Sequence, residues 1–503
     1  MLLKLLNSTS LKANVIANFV GNGWAALLGF IFIPTYLKYI GPEGYGLIGI
    51  FASLQVLLSL LDSGMSTTLN REMSRLSAFS STEQKMRNIV KTLGSVYWLI
   101  ALFAGFVGLI LSPLLAKYWV NPNTLSVQTI TYVFCLLSVT VVFQFPTGLY
   151  SGGLLGLQRQ IILNILRITF ATLKNLGAVI ILLFISKSLL IFFSWYLFIS
   201  IIQAFTYKYT LWFYLPKTSQ RTFFDKQELK NIWRFAAGLT VIGLTGILLT
   251  QVDTIILSKI LPLEQFGYYT FAFTLGSISY MIVGPISQSY FPRFSILLAE
   301  EKFEELTRIY HQGCQLVTLL VVPFALFLTF FSKEIIFIWT RDHHIVENTW
   351  KITSVVSLAV AIHCLMYLPY MLCLTYSHTK LALYTNTILL IVLIPSTIYA
   401  AINFGGLGGA VCWLIITIVY LCINPILVHK LFLKGEVLKW YWNDTLKPIL
   451  GCIIILVFFR FFLLANQFDT YITGCILFFI GMASFFATYF SSQELKIKGF
   501  KKL

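Results

Sequence analysis

Fourteen apolar stretches run through this chain, near residues 12–37, 44–66, 92–115, 125–150, 160–186, 188–212, 232–260, 266–291, 313–332, 351–375, 380–402, 407–429, 446–465 and 470–491. Each is close to the roughly 20 residues with which a helix crosses a hydrocarbon core. Lipid offers no hydrogen bonds, so a segment inside it must satisfy its own backbone, and helices of this length do so. The sequence therefore predicts an all-α integral membrane protein of about 14 transmembrane helices. With 58% hydrophobic and 11% charged residues, the composition leaves no soluble domain to fold beside the spans. The apolar run after Met1 and Lys4 is too long for a signal peptide and reads as the first span.

One span departs from the apolar rule. Residues 161–185 carry Arg167 and Lys174 among sixteen Leu, Ile, Val and Phe. A basic residue at the bilayer centre costs about 2.5–3.5 kcal/mol and each such apolar residue returns about 0.3–0.6 kcal/mol, so this span inserts with little to spare. At 100° per residue, Asn164, Arg167, Lys174 and Asn175 fall within an arc of about 100°. They form one polar ladder, which should line a protected or water-filled cavity. Asn14, Asn18 and Asn22 recur every four residues in the first span and add a second polar stripe, suited to sugar hydroxyls or to interhelical hydrogen bonds.

The net charge of +17 follows membrane topology rather than nucleic acid. With the N-terminus cytoplasmic, inward segments hold 26 of the 36 Lys and Arg and outward ones hold 8, which places both termini in the cytoplasm. Anionic lipid headgroups are the partners this excess implies.

Motifs for chemistry are missing. The chain has neither a phosphate loop ending in Gly-Lys-Ser/Thr nor HExxH, so transport energy must come from an ion gradient or from the substrate's own. No cofactor is implied, and a proton or sodium ion is the natural coupling species. The eight cysteines show no CxxC and behave as small apolar residues. His343 and His344 read as a solvated pair in an outward loop rather than a metal site. Asp225 and Glu228 have capping-box spacing, and AEEKFEELTRIYHQ (299–312) reads as a short interfacial helix.

An internal repeat points to a transporter. An offset of 221 residues aligns KYIGPEGYGLIGIFASL (38–54) with KILPLEQFGYYTFAFTL (259–275), matching Lys38 with Lys259, Glu43 with Glu264, Gly46 with Gly267 and Leu54 with Leu275. The offset spans six expected helices, an even number, so the copies run parallel. This predicts two parallel six-helix lobes around a central cavity: 1–215 as the first, 216–231 as a cytoplasmic linker and 232–430 as the second. An appended helix pair follows at 446–491, then a basic cytoplasmic tail at 492–503. Parallel repeats are a common basis for alternating access.

LLDSGMSTTLNREMSR (60–75) and VDTIILSKILPLEQFGYYTFAFTL (252–275) resemble the polysaccharide-transport flippases, called Wzx, of the multidrug/oligosaccharidyl-lipid/polysaccharide (MOP) superfamily. That resemblance implies a non-enzymatic protein of the bacterial plasma (inner) membrane. It would carry undecaprenyl-diphosphate-linked oligosaccharide repeat units from the cytoplasmic to the outer leaflet for O-antigen or capsule synthesis. It implies polysaccharide polymerase and chain-length proteins as further partners, and no nucleic acid.

The residues fit such cargo. A diphosphate needs fixed positive charge, for which the Arg167 fork and the Lys174 point charge are candidates, and Asn164, Asn175, Asn14, Asn18 and Asn22 offer amides to hydroxyls. Asp62, Asp253 and Arg71 are candidates for gating or ion coupling. A lipid II or drug/cation transporter of the same superfamily and a membrane polysaccharide polymerase are the alternatives.

Overall fold

A computed structural model describes residues 11–492 apart from 78, 80, 81, 377 and 466–468; for 11–17, 19, 60, 61, 63, 231–247, 379, 380, 382, 464 and 465 it describes the backbone alone. The chain divides into two compact units, 1–267 and 268–503. The first holds α1 (Leu11–Ile31), α2 (Ile33–Leu76), α3 (Glu83–Leu114), α4 (Val127–Gly156), α5 (Gln160–Phe184), α6 (Leu189–Tyr214) and α7 (Lys226–Ile260). Helix α8 (Leu263–Gly276) crosses the division. The second unit continues with α9 (Ser279–Ala299), α10 (Phe303–Thr340), α11 (His343–Leu365), α12 (Tyr367–Thr375) and α13 (Thr379–Phe432). It ends with α14 (Val437–Lys439), which runs through a π-helical stretch at Trp440–Leu446 into α15 (Lys447–Ala465), and then α16 (Thr470–Ser491).

Among the described residues nine helices are long and apolar enough to cross a membrane, or eleven if each of two bent pairs is one span. The expected fourteen is not reached by this count, in part because most side chains of the span expected at 232–260 lie outside the described residues. Helix α13 runs 54 residues through a break at Gly405 and so contains two of the expected spans. Residues 20–59 likewise form one bent pair where two spans are expected. Gly405 has φ +61° and Gly41, within α2, has φ +72°, conformations that a side chain would strain.

The sequence repeat has a physical counterpart in the first unit. Helix α2 breaks at Gly41, just before Pro42 and Glu43, and at the same offset α7 ends and α8 begins around Pro262, just before Glu264. The two matched glycines lie at one close packing. A Cβ on Gly46 would stand 2.9 Å from the Leu263 carbonyl, and one on Gly267 would stand 1.9 Å from the carbonyl oxygen of Pro42. The loop after α3 joins them: Glu43 accepts from the backbone N–H groups of Asn123 and Thr124 at 2.8 Å and of Leu125 at 2.9 Å, while Leu263 N donates to Asn121 O at 2.8 Å. Three donors on one buried carboxylate offset its desolvation, which explains why Glu43 is tolerated there.

Two local expectations resolve differently. Asp225 does cap α7, accepting from Gln227 N and Glu228 N. The segment after Lys302, however, is no separate interfacial helix but the first turns of α10. His343 and His344 lie in the first turn of α11 rather than in a loop, because Asp342 accepts from His344 N and Ile345 N and starts the helix there. Tyr268 and His344 are hydrogen-bonded at 2.9 Å.

Gly267→Ala is expected to cost about 1–3 kcal/mol, since the atom it meets is backbone and cannot turn aside. Gly284→Ala, whose Cβ meets nothing within 4 Å, should leave stability unchanged or raise it. Thermal unfolding of the two purified variants in detergent checks both.

Candidate functional site

The site lies within the first unit and rests on a tight packing of α2 against α4. Gly148, Gly152 and Gly156 repeat every four residues along one face of α4, so the backbones come close. A Cβ on Gly148 would collide with the Asp62 carboxylate, and one on Gly152 with the Ser66 backbone. Ser66 donates to Gly148 O at 2.8 Å and Ser74 to Gly156 O at 3.1 Å. The glycine stripe thus makes a shelf on which Asp62 lies, and the Tyr97 hydroxyl from α3 donates to that carboxylate from the other side.

Above this shelf is a cavity of about 330 Å³ whose polar lining is Asp62, Gln55, Ser59, Gln144, Thr147, Gln203 and Lys174, with Phe145 and Val141 among its apolar walls. Gln55 donates to Gln144, and Gln144 donates to Ser200 Oγ at 3.1 Å. The side-chain oxygen of Gln203 is buried with no hydrogen-bond partner among the described residues. Lys174 enters from α5 with its Nζ 5.9 Å from the Tyr196 ring centre. No described carboxylate lies within ion-pair distance of it. An ammonium that lines a cavity beside an aromatic face, with no described carboxylate in ion-pair distance, is a place where an anion binds favourably.

The polar ladder of α5 therefore divides. Its first part faces α1, where Asn164 donates to Asn18 Oδ1 at 2.6 Å and to Gln160 O at 2.8 Å, and Arg167 donates to Asn22 Oδ1 and to Asn164 Oδ1. These four side chains form one interhelical network. Asn175 is turned to α2, accepting from the Tyr36 hydroxyl at its backbone oxygen (3.2 Å) and at Oδ1 (3.3 Å). Only Lys174 of the ladder lines the cavity, and it does so with Asp62. Asn14 falls outside the described side chains.

The remaining candidates lie elsewhere. Arg71 is at the far end of α2, 3.0 Å from Glu72, which Arg75 also engages at 2.7 Å. Asp253 is buried in α7 and accepts from Thr254 N at 2.7 Å. Neither lines the cavity that Lys174 and Asp62 share.

Sequence reasoning takes Gln55 and Gln144 as packing or interhelical polar contacts rather than cavity lining, and passes over Gln203 and Tyr97. A signal existed for the first: Gln55, Ser59 and Asp62 stand at i, i+4 and i+7, one face of a helix, and all three line the cavity. Gln144 precedes Gly148 by one turn. Among the described residues no three His, Cys, Asp or Glu are placed to hold a metal.

A bundle of apolar helices with a polar cavity and a lone cation inside one unit is the construction of a membrane transporter. The architecture agrees with solved MOP-superfamily transporters. The chain matches a lipid II flippase, MurJ, in an inward closed conformation with TM-score 0.72 at 15% identity, over 95% of this chain and 97% of that one. An inward-facing multidrug resistance MATE family transporter of the MOP superfamily matches with TM-score 0.64 at 11% identity, over 82% and 96%. A family profile described as MatE matches residues 240–399. A putative O-antigen transporter of Shigella flexneri is 20% identical over 405 residues, 80% of this chain and 94% of that protein.

The profile described as polysaccharide biosynthesis protein matches residues 11–298, more than half of the chain, and the chain belongs to that family.

Tyr97→Phe should cost about 1–3 kcal/mol by removing the donor to a shielded Asp62. Lys174→Met should match or exceed the wild type in stability, since it removes an unpaired cation of similar volume. Thermal unfolding in one lipid–detergent mixture distinguishes the two effects.

Proposed function

We propose that this protein flips undecaprenyl-diphosphate-linked oligosaccharide repeat units from the cytoplasmic to the outer leaflet of the bacterial inner membrane, with both termini in the cytoplasm. The observation that carries the reading is the Lys174 ammonium, with no described carboxylate within ion-pair distance, in a cavity that also holds the amides of Gln55, Gln144 and Gln203, the hydroxyls of Ser59 and Thr147, and Asp62. A diphosphate supplies an anion for Lys174, and sugar hydroxyls can bridge the Gln55–Gln144 pair. The family is described as one of polysaccharide biosynthesis, and the Shigella relative as an O-antigen transporter, a carrier rather than an enzyme.

In this mechanism the headgroup leaves the cytoplasm for the cavity while the polyprenyl tail stays in lipid. Lys174 takes the diphosphate, with Arg167 one ladder step away and able to exchange its amide partners for phosphate oxygens. Residues 1–215 and 232–430 act as the lobes that rock to change access. The packing of Glu43, the loop after α3 and Pro262 to Gly267 is the closed end in this state. Asp62, Asp253 and Arg71 are the groups through which a proton or sodium gradient, or a gate, would act, and polymerase and chain-length proteins would receive the product.

A lipid II carrier would meet the same diphosphate with the same cation, and the MurJ-like architecture supports it as the second reading. An extruder of cationic drugs would not benefit from an uncompensated Lys174.

Cells lacking this protein should trap lipid-linked repeat units in the cytoplasmic leaflet. Arg167→Ala and Lys174→Ala should each impair release while the protein remains in the membrane. Leaflet-resolved measurement of the repeat unit checks this. Normal surface polysaccharide in the double variant would remove the site assignment, and unpolymerised units on the outer face of the deletion strain would favour a polymerase.

A further inference from the structure

The second unit contains a buried polar cluster that the transport reading does not use. His311, in the third turn of α10, has a fully buried side chain whose two ring nitrogens each face a carboxylate. Nδ1 is hydrogen-bonded to Oδ2 of Asp444, which is also fully buried, and Nε2 lies 3.1 Å from Oε2 of Glu436, which is 29% exposed. The other Asp444 oxygen accepts from Gln315 Nε2 at 2.9 Å. His311 and Gln315 are one turn apart on α10. Glu436 precedes α14, and Asp444 belongs to the π-helical stretch leading to the C-terminal helix pair.

The donor count of this arrangement is decisive. A neutral imidazole has one N–H and one lone pair, and ionised carboxylates only accept. Without an additional proton, one of the two contacts sets a nitrogen lone pair against a carboxylate oxygen. With one additional proton, on the ring or on a carboxylate, both contacts become hydrogen bonds. The closed geometry is therefore the geometry of the protonated cluster.

The surrounding groups do not supply that proton. From α13, His429 Nδ1 lies 2.7 Å from the Pro425 carbonyl, to which it can only donate, which leaves Nε2 to accept from the Tyr310 hydroxyl at 3.2 Å. His429 is thus satisfied while neutral. Lys439 lies 3.5 Å from Glu436 on the exposed side. Tyr310 and Cys314 on α10 and Cys373 on α12 are further titratable groups described around the cluster.

We propose that His311, Asp444 and Glu436 form a proton-binding site that latches α10 to the segment entering the C-terminal helix pair, and that loss of the proton opens the latch. Glu436, half in water, is the route by which the proton exchanges. Because the closed state holds one proton more than the open state, closure is favoured at low pH and lost as pH rises. The protein thereby senses the pH on the side where residues 433–446 lie. This inference does not depend on which substrate is carried.

The test is hydrogen–deuterium exchange of the full-length protein in lipid nanodiscs between about pH 6 and pH 9, corrected for intrinsic exchange rates. In the wild type the opening of 303–316 and 436–446 should grow about tenfold per pH unit above the transition, the slope of a single linked proton. Asp444→Asn should remain closed at every pH. Its amide N–H can donate to the Nδ1 lone pair of a neutral His311, while its oxygen still accepts from Gln315. Glu436→Gln satisfies Nε2 in the same way from the exposed side, and serves if the buried substitution prevents assembly. Wild-type protection independent of pH overturns the proposal, as does an unchanged pH slope in an assembled Asp444→Asn or Glu436→Gln variant.

Discussion

A hydrogen-bonding group left alone in hydrocarbon costs several kcal/mol, and the interior of this protein is arranged around that cost. Asn18, Asn22, Asn164 and Arg167 are each affordable in a span only because α1 and α5 bring them together. The same constraint joins Gln55 to Gln144 and Ser200, and Tyr97 to Asp62. Close helix approach makes these pairings possible, and glycines at the contact make the approach possible.

Seen this way, the exceptions carry the function. Lys174 shares its cavity with Asp62 but has no described carboxylate within ion-pair distance, and the side-chain oxygen of Gln203 is buried there with no described partner. Both are costs in the empty protein that an anionic, hydroxyl-rich headgroup would offset. The His311 cluster solves the same problem differently, because its geometry is complete only with a proton added. The proposed substrate site and the proposed proton site thus lie in different units, each where the chain's own donors and acceptors do not balance.

The sequence was informative wherever a rule acts along one helix. The periodicity of apolar residues gave the membrane class and the helical architecture. The arc of Asn164, Arg167, Lys174 and Asn175 was visible from the 100° step alone, and the Asp225 cap from its spacing. The repeat of Glu43 and Gly46 at Glu264 and Gly267 was visible as well, although its meaning as a point of backbone contact was not. Counting helices gives fewer segments than counting apolar stretches, because α13 joins two of the expected spans across the non-helical Gly405.

What the sequence determined by itself is that this chain lives in a membrane as helices and carries cations inside it, because hydropathy and helical phase are properties of single segments. Only the tertiary structure decided which polar residues are spent on one another and which remain open. Arg167 and Lys174 stand on one face of one helix, yet the first is engaged by α1 and the second lines a cavity with Asp62. His311 stands 125 residues from Glu436 and 133 from Asp444 in the chain, with no shared signature. Pairing is set by what a neighbouring helix presents at the same depth, and that neighbour is chosen by packing across the whole fold.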